Sequence, residues 1–463
     1  MTDRAVVIGS SMAGLLAARV LSEFFDRVTV LDRDSLPQVA VPRRGAPQGR
    51  HTHGLLARGR EILDELFPGL SDDLIAQGAV TGDMQADFRW YNDGLRLLPA
   101  HSGLIGLGVS RPLLEHYVRA RVDALPTVEI LDRRDVTSPT IASDRRSVHG
   151  VRVLPGTDGE AEEIVPADLV VDASGRGSRS PGWLEKLGYP RPVEESVRIK
   201  VVYVTRNYRR EPQHFDGGTG VSVGAVPPRL PRGGAVVPLE GDRWMVTLAG
   251  ALGVEPPVDP DGFAAFAATL AVPDIAELLR DAEPLDEPVL ARFPASIRRR
   301  YEDLPTLPEG YLVVGDAICS FNPVYGQGMT ITAAEALVLR DCLRRGRDRL
   351  ASRFFGGAAR LIDVPWSIAV GSDLRFPEVE GARPLRLRLG NRYLSRLHVA
   401  AQHDPTIGHA FLRVANLLDR PERLIAPDIA WRVLRGNLRR FGPTRATSGA
   451  SAPTAEVTPD DVS

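Results

Sequence analysis

The stretch RAVVIGSSMAGLLAARVLSEFF, residues 4–25, decides the fold. Residues 4–8 are a short, β-branched apolar run that stops at Gly9. Glycine returns at Gly14, and apolar residues then recur at helical spacing as far as Phe25. A second β-branched run, Arg27 to Leu31, ends at Asp32. Strand, glycine turn, helix and strand within about 30 residues make a β-α-β unit. Gly9 and Gly14 occupy the first and third positions of a dinucleotide fingerprint, with Ser11 in place of the second glycine. The glycines allow a tight turn and close packing of helix on strand. Along the turn, Ser11, Met12 and Ala13 would present the unpaired N–H groups and partial positive charge of a helix start to a pyrophosphate. Asp32, followed by Arg33, stands where an acid suits the hydroxyl pair of an adenosine ribose. Taken alone, the same pattern also fits a tight α/β turn that binds nothing.

The rest of the chain predicts an α/β protein in several parts. Residues 1–192 read as the first part of a nucleotide-binding domain. They carry helices at Leu55–Leu66 and Pro112–Ala124, a strand at Val128–Leu131, a hairpin near Val136–Leu154 and an apolar strand at Ala167–Asp172. Residues 193–300 change texture. Strand-like segments at Val197–Val204, Gly234–Pro238, Trp244–Ala249 and Pro288–Phe293, with a helix at Pro260–Leu270, read as an inserted, mainly antiparallel sheet. Residues 301–375 bring back a strand, a glycine loop and a long helix from Thr330 to Arg344, and so return to the first domain. Residues 376–442 read as helical. Residues 443–463, rich in Pro, Ser and Thr, are expected to be disordered.

Two further motifs lie in the returning part. Gly310 to Ala317 feeds a strand into Gly315 and Asp316, which puts a carboxylate at a strand's carboxyl end, where doubly wound sheets bind ligands. Phe321 to Met329 then opens a helix through Pro323, Gly326 and Gly328. With the N-terminal fingerprint, these segments resemble the FAD-dependent monooxygenases of the para-hydroxybenzoate-hydroxylase-like superfamily. The resemblance implies a glutathione-reductase-type, Rossmann-like FAD domain with an inserted substrate sheet. It implies that Asp316 holds the ribityl chain. It also implies that the loop from Pro323 through Gly326, Gly328 and Met329 lies against the flavin ring, with the helix N-terminus favouring negative charge on the reduced ring.

The resemblance covers roughly residues 4–340. Asp172 to Arg179 looks like the family's aspartate–glycine segment, which serves FAD and the visiting nicotinamide. Ser110-Arg111 to Glu115 looks like the segment whose arginine contacts the FAD pyrophosphate or adenosine side. The loop PRRGAPQGRHTH, residues 42–53, resembles that of a bacterial subfamily including polyether-pathway epoxidases. In this loop Arg43, Gln48 and His51 are candidates for holding the flavin or the reductant's phosphate. Equally, His51 and His53 would serve as hydrogen-bonding residues that close the loop onto the next helix. Ser11 and Met329, where many members carry glycine and asparagine, depart from the family pattern.

Composition narrows the function. Fifty-seven basic residues against 59 acidic leave a net charge of -2, unlike the basic excess of nucleic-acid binders. Of the basic residues only Lys186 and Lys200 are lysine. Two cysteines, Cys319 and Cys342, cannot frame a chain of this size with disulfides, so a reducing, cytoplasmic setting is expected. No signal peptide, membrane span or metal motif is read. Arg298 to Arg300 reads as a solvated strand end, Trp244 as core and Cys319 as apolar filling.

The expected chemistry follows from the resemblance. NADPH or NADH reduces bound FAD, and O₂ then gives a flavin C4a-hydroperoxide that delivers oxygen to a small hydrophobic substrate. The cofactor carries the hard chemistry, so no catalytic side chain is assigned. Epoxidation of an alkene or polyene in secondary metabolism is the leading expectation. Aromatic hydroxylation and geranylgeranyl-reductase-like saturation remain open. Flavin halogenases need a lysine beyond the FAD fingerprint and a tryptophan-rich motif, and this chain has no lysine before Lys186. Monomer and homodimer both remain open.

Overall fold

The computed structural model describes residues 3–143, 146–156 and 161–438 of the 463. The tail expected at 443–463 lies outside these. Arg4–Ile8 and Arg27–Leu31 form parallel neighbours joined by the helix Met12–Leu21. Both strands are buried after their first residue, as their unbroken apolar runs demand of a sheet covered on both faces. Leu169–Asp172 pairs in parallel with Arg4–Ile8, and Tyr311–Val313 pairs in parallel with Leu169–Asp172. Val128–Leu131 adds beyond Arg27–Leu31 on the other side, also in parallel. All five strands therefore end along one edge, with the first strand of the chain at the centre.

A second sheet has seven strands, from Val289–Phe293 through Val201–Arg209, Arg243–Gly250, Arg232–Leu239 and Gly220–Val223 to Phe88–Asn92 and Leu95–Arg96. Its pairings are antiparallel except that of Phe88–Asn92 with Gly220–Val223. One face buries Val204, Tyr208, Val236, Trp244, Val246 and Leu248 against the helices Pro260–Ala267 and Asp274–Asp281. Because side chains alternate along a strand, the other face carries Tyr203, Thr205, Met245, Thr247 and Ala249. The four C-terminal helices are Leu350–Asp373, Leu385–Ala401, Pro405–Ala415 and Pro427–Leu438 among the described residues. The last three bury Leu397, Ala400, Ile407, Leu412 and Ile429 together with Leu97 and Leu104.

The structure departs from the sequence reading at several points. Short strands at Val80–Asp83, Phe88–Asn92, Leu95–Arg96 and Ile105–Gly108 went unread, because segments of two to five half-buried residues leave no clear period. The run read as one strand at Val197–Val204 is two, Val193–Val197 and Val201–Arg209, broken where Lys200 takes a positive φ of 52°. Arg298 to Arg300 is not a solvated end. Arg298 and Arg299 are buried and are neutralised by Asp363, Glu302 and Glu194 at 2.6, 3.0 and 3.1 Å, while Arg300 meets Glu195 at 2.7 Å. Of these acids only Glu302 is close in sequence; tertiary contact supplies Asp363, Glu194 and Glu195. Trp244 is core as read, and Cys319 is buried as a free thiol.

Candidate functional site

The carboxyl ends of the parallel strands supply a set of loops that meet at one edge. After the first strand, Gly9 has φ of 100° and its N–H donates to the Leu31 carbonyl at 2.7 Å. A Cβ at Gly14 would lie 1.8 Å from the Gly9 carbonyl oxygen, so only glycine lets the helix start so close to the strand. Met12 is buried and Ala13 half-buried. The Ser11 hydroxyl does not cap its helix; it donates to Glu115 at 2.8 Å and accepts from Arg111 at 2.9 Å. The first-turn amides of that helix thus have no side-chain cap.

Beside this helix start lies a buried ionic cluster. Arg43 reaches Glu115 at 2.8 Å, Asp34 at 3.1 Å and Asp32 at 3.3 Å, while Arg111 reaches Glu115 at 3.2 Å. Asp32 also accepts from the Ser10 N–H at 2.8 Å and the Ser10 hydroxyl at 2.5 Å. Burial would raise the Glu115 carboxyl, but Arg111 and Arg43 outweigh it and hold it below its ordinary value. Two guanidinium groups are therefore held at the uncapped helix start, where their flat forks suit a pyrophosphate. Glu115 itself was missed as a site residue, although its i+4 spacing from Arg111 was a legible signal. Arg33 is exposed and stands outside this cluster, and Gln48 is half-buried.

The returning strand ends in Gly315, at φ of 65°, where a Cβ would press to 2.8 Å from that of Ala13. The second motif is thus folded against the first. Asp316 is open to solvent yet walled in by protein. That enclosure pushes its carboxyl above the ordinary value, against the pull of Arg111 and Arg176. The Gly315 N–H donates to Glu335 at 2.6 Å. Glu335 is 1% exposed, and burial raises its pKa to about 8, so it is protonated at neutral pH.

The glycine loop that follows is tied down from outside. Asp373 accepts from the Asn322 amide at 3.0 Å and the Tyr325 hydroxyl at 2.9 Å. Pro323 is exposed and Met329 half-buried. Cβ atoms at Gly326 or Gly328 would meet nothing within 4 Å, so the loop borders open space. The helix Gly328–Arg344 starts without a side-chain cap, and the buried Gln327 Oε1 and Thr330 Oγ1 have no partner. Open space, an uncapped helix start and unpartnered polar atoms all fit a flat polar ring system.

The loop at 42–53 bridges the two sheets. Arg43 belongs to the ionic cluster, whereas His51 is buried and its Nδ1 meets the Thr205 hydroxyl at 2.9 Å. Its ring packs edge-on against Tyr203 at 4.7 Å. Thr205 meets Thr247 at 2.7 Å, and Thr247 meets Thr52 at 2.7 Å. Burial, with Arg50 nearby, lowers the His51 pKa to about 4, and burial with Arg111 lowers that of His53 to about 3; both are neutral at pH 7. Asp172, in the segment expected to serve both cofactors, is fully buried. Its carboxylate accepts from the Ser174 N–H at 2.9 Å and the Ser178 hydroxyl at 2.6 Å, and also from the Ser180 hydroxyl.

Among the described residues no cluster of His, Cys, Asp and Glu could hold a metal ion, and no helix is long and apolar enough to cross a membrane. Protein Rv3254 of Mycobacterium tuberculosis is 36% identical over 457 residues, covering 94% of each chain. Kynurenine 3-monooxygenase of Salinispora arenicola is 28% identical over 432 residues, covering 85% of each. The fold is similar to that of the flavin-dependent brominase Bmp2, with a TM-score of 0.67 at 16% identity over 95% of this chain and 99% of that one. It is also similar to p-nitrophenol 4-monooxygenase PnpA from Pseudomonas putida, with a TM-score of 0.62 at 15% identity over 90% of this chain and 98% of that one. A family model for the FAD binding domain matches residues 2–344; the chain belongs to that family and is an FAD-dependent oxidoreductase.

Proposed function

We propose that this oxidoreductase is a monooxygenase that uses NAD(P)H and O₂ to oxygenate a carbon–carbon double bond in a small hydrophobic substrate, with epoxidation as the outcome. The observation that carries this reading is the face of the seven-stranded sheet turned away from the helices Pro260–Ala267 and Asp274–Asp281. Beside His51 it offers Thr205, Thr247, Ala235 and Ala249, flanked by Tyr203 and Met245. These side chains are small, neutral or aromatic, and His51 is uncharged at working pH. Such a surface suits an apolar ligand oriented by a few hydroxyls.

In this reading the chain's own residues position and shield. Gly9, Ser11, Met12, Ala13 and Gly14 with Arg43 and Arg111 would hold the pyrophosphate of FAD, and Asp32 the adenosine ribose. Asp316 would hold the ribityl chain. Pro323, Gly326, Gly328 and Met329 would border the ring. Bound FAD supplies the redox and oxygen-activating chemistry. The sheet above keeps water from the reacting carbon, and the loop at 42–53 ties that sheet to the pyrophosphate cradle.

Aromatic hydroxylation has one observation in its favour. The chain His51–Thr205–Thr247–Thr52 is a relay that could pass a phenolic proton, and the Salinispora relative is named kynurenine 3-monooxygenase. The deciding experiment supplies the purified enzyme with NAD(P)H and ¹⁸O₂ and a panel of alkenes, polyenes and phenols, followed by mass spectrometry. Labelled epoxide or its diol supports the proposal. Labelled phenol alone favours the second reading, and anaerobic saturation of a double bond overturns both.

A further inference from the structure

A cleft of about 580 Å³ lies between the end of the helix Leu350–Asp373 and the helix Leu385–Ala401, with Pro227 and Pro228 on its far wall. Its lining is dominated by arginine, and the four guanidinium groups are employed differently. Arg375 is neutralised by Asp93 at 2.7 Å. Arg383 spends its donors on backbone carbonyls, among them those of Leu374 at 3.0 Å and Phe376 at 2.9 Å, and so shapes the wall. Arg388 and Arg392 are exposed and have no side-chain partner among the described residues. Glu378 and Glu380, the nearest acids before them in sequence, pair with neither.

Arg388 and Arg392 sit four residues apart on one helix, so their charges are neighbours and repel. The repulsion disappears when an anion bridges them, and the start of the same helix adds partial positive charge nearby. Two free forks side by side match a doubly charged group with several acceptor oxygens better than a single carboxylate. The cleft is open to solvent, so a phosphate held there can be the end of a larger molecule. Arg375 stands two residues beyond Asp373, whose carboxylate anchors Asn322 and Tyr325 of the glycine loop. The wall of the cleft and the outer support of the candidate active site are therefore adjacent in the chain.

We infer that this cleft is a binding site for the phosphate or diphosphate end of a ligand, held by Arg388 and Arg392. Such a group could come from the pyridine-nucleotide reductant or from a substrate carried on a phosphorylated arm. The assignment stands apart from the oxygenase reading, because its assay needs no turnover. FAD-loaded enzyme is titrated calorimetrically with 2′,5′-ADP, 4′-phosphopantetheine and inorganic pyrophosphate at low and high salt. At least one probe should bind, and the Arg388→Ala/Arg392→Ala double variant should weaken it about tenfold or more. Salt dependence should fall in parallel, with FAD content and melting temperature unchanged. Preference for 2′,5′-ADP assigns the cleft to the reductant, and preference for phosphopantetheine assigns it to a phosphate-bearing substrate. Undiminished binding in the double variant, or no binding of any probe to the parent enzyme, overturns the inference.

Discussion

Replacing Glu335 with glutamine tests whether a protonated carboxyl holds the turn that presents Asp316. Glu335 is almost wholly buried and accepts the Gly315 N–H at 2.6 Å. Burial, helped by Asp316, lifts its pKa from the ordinary 4.5 to about 8 despite that hydrogen bond. Below pH 4.5 the group is protonated in both the folded and the unfolded chain, and folding is indifferent to pH through it. Between about 4.5 and 8 only the folded chain keeps the proton, so stability falls as pH rises. The slope is about 1.4 kcal/mol per pH unit, which amounts to roughly 2–3 kcal/mol between pH 5.5 and 7.5. Glutamine keeps an acceptor oxygen for Gly315 and carries no proton to lose. Glu335→Gln should therefore gain roughly 2–3 kcal/mol on the parent over that interval. The measurement is urea unfolding of both proteins at several pH values, read as the difference between them. A difference that stays flat, or that moves against the variant as pH rises, would show that the carboxyl is ionised in the folded chain and refute the reasoning. Glu335→Ala should follow the same pH trend relative to the parent as Glu335→Gln but lie below it at every pH, because it leaves the Gly315 N–H unpaired and opens a void.

Two further outcomes are expected. Asp316→Ala should weaken FAD binding to the apoprotein by roughly 1.5–3 kcal/mol, the worth of a hydrogen bond to a charged group; fluorescence titration with unchanged affinity would remove Asp316 from the cofactor site. Glu115→Gln strips the shared carboxylate from Arg43 and Arg111 and should destabilise the apoprotein by about 3–5 kcal/mol, as breaking a buried ion pair does. Saturating FAD, whose pyrophosphate would replace the lost charge, should recover much of that loss in thermal melts. Equal losses with and without FAD would place the pyrophosphate elsewhere.

Much of the fold was legible because its signals are local. The unbroken runs Arg4–Ile8 and Arg27–Leu31 can only be strands buried on both sides, and Gly9 and Gly14 are demanded by backbone approach. Gly315 and Gly326 could be read the same way, since the chain must turn there at positive φ. Glu335 could not. A glutamate in the middle of a helix reads as a solvated face, and only the packing of Gly315 against that helix removes its water. Arg298 misled for the converse reason, because an arginine run looks solvated until Asp363 arrives from a distant helix and the fold buries the pair with Glu302.

By itself the sequence determined the nucleotide-binding half, since strand periodicity, glycine spacing and the acids at strand ends are set within a few residues of one another. It also limited phosphate recognition to arginine by leaving the chain two lysines. Tertiary structure alone decided which charges are shared and which are free. Arg43 and Arg111 share Glu115, while Arg388 and Arg392 have no charged partner among the described residues. It alone brought His51 to Thr205, 154 residues away in the chain. Pairing, burial and the neutrality of a histidine depend on neighbours from distant segments, and those neighbours exist only once the chain has folded.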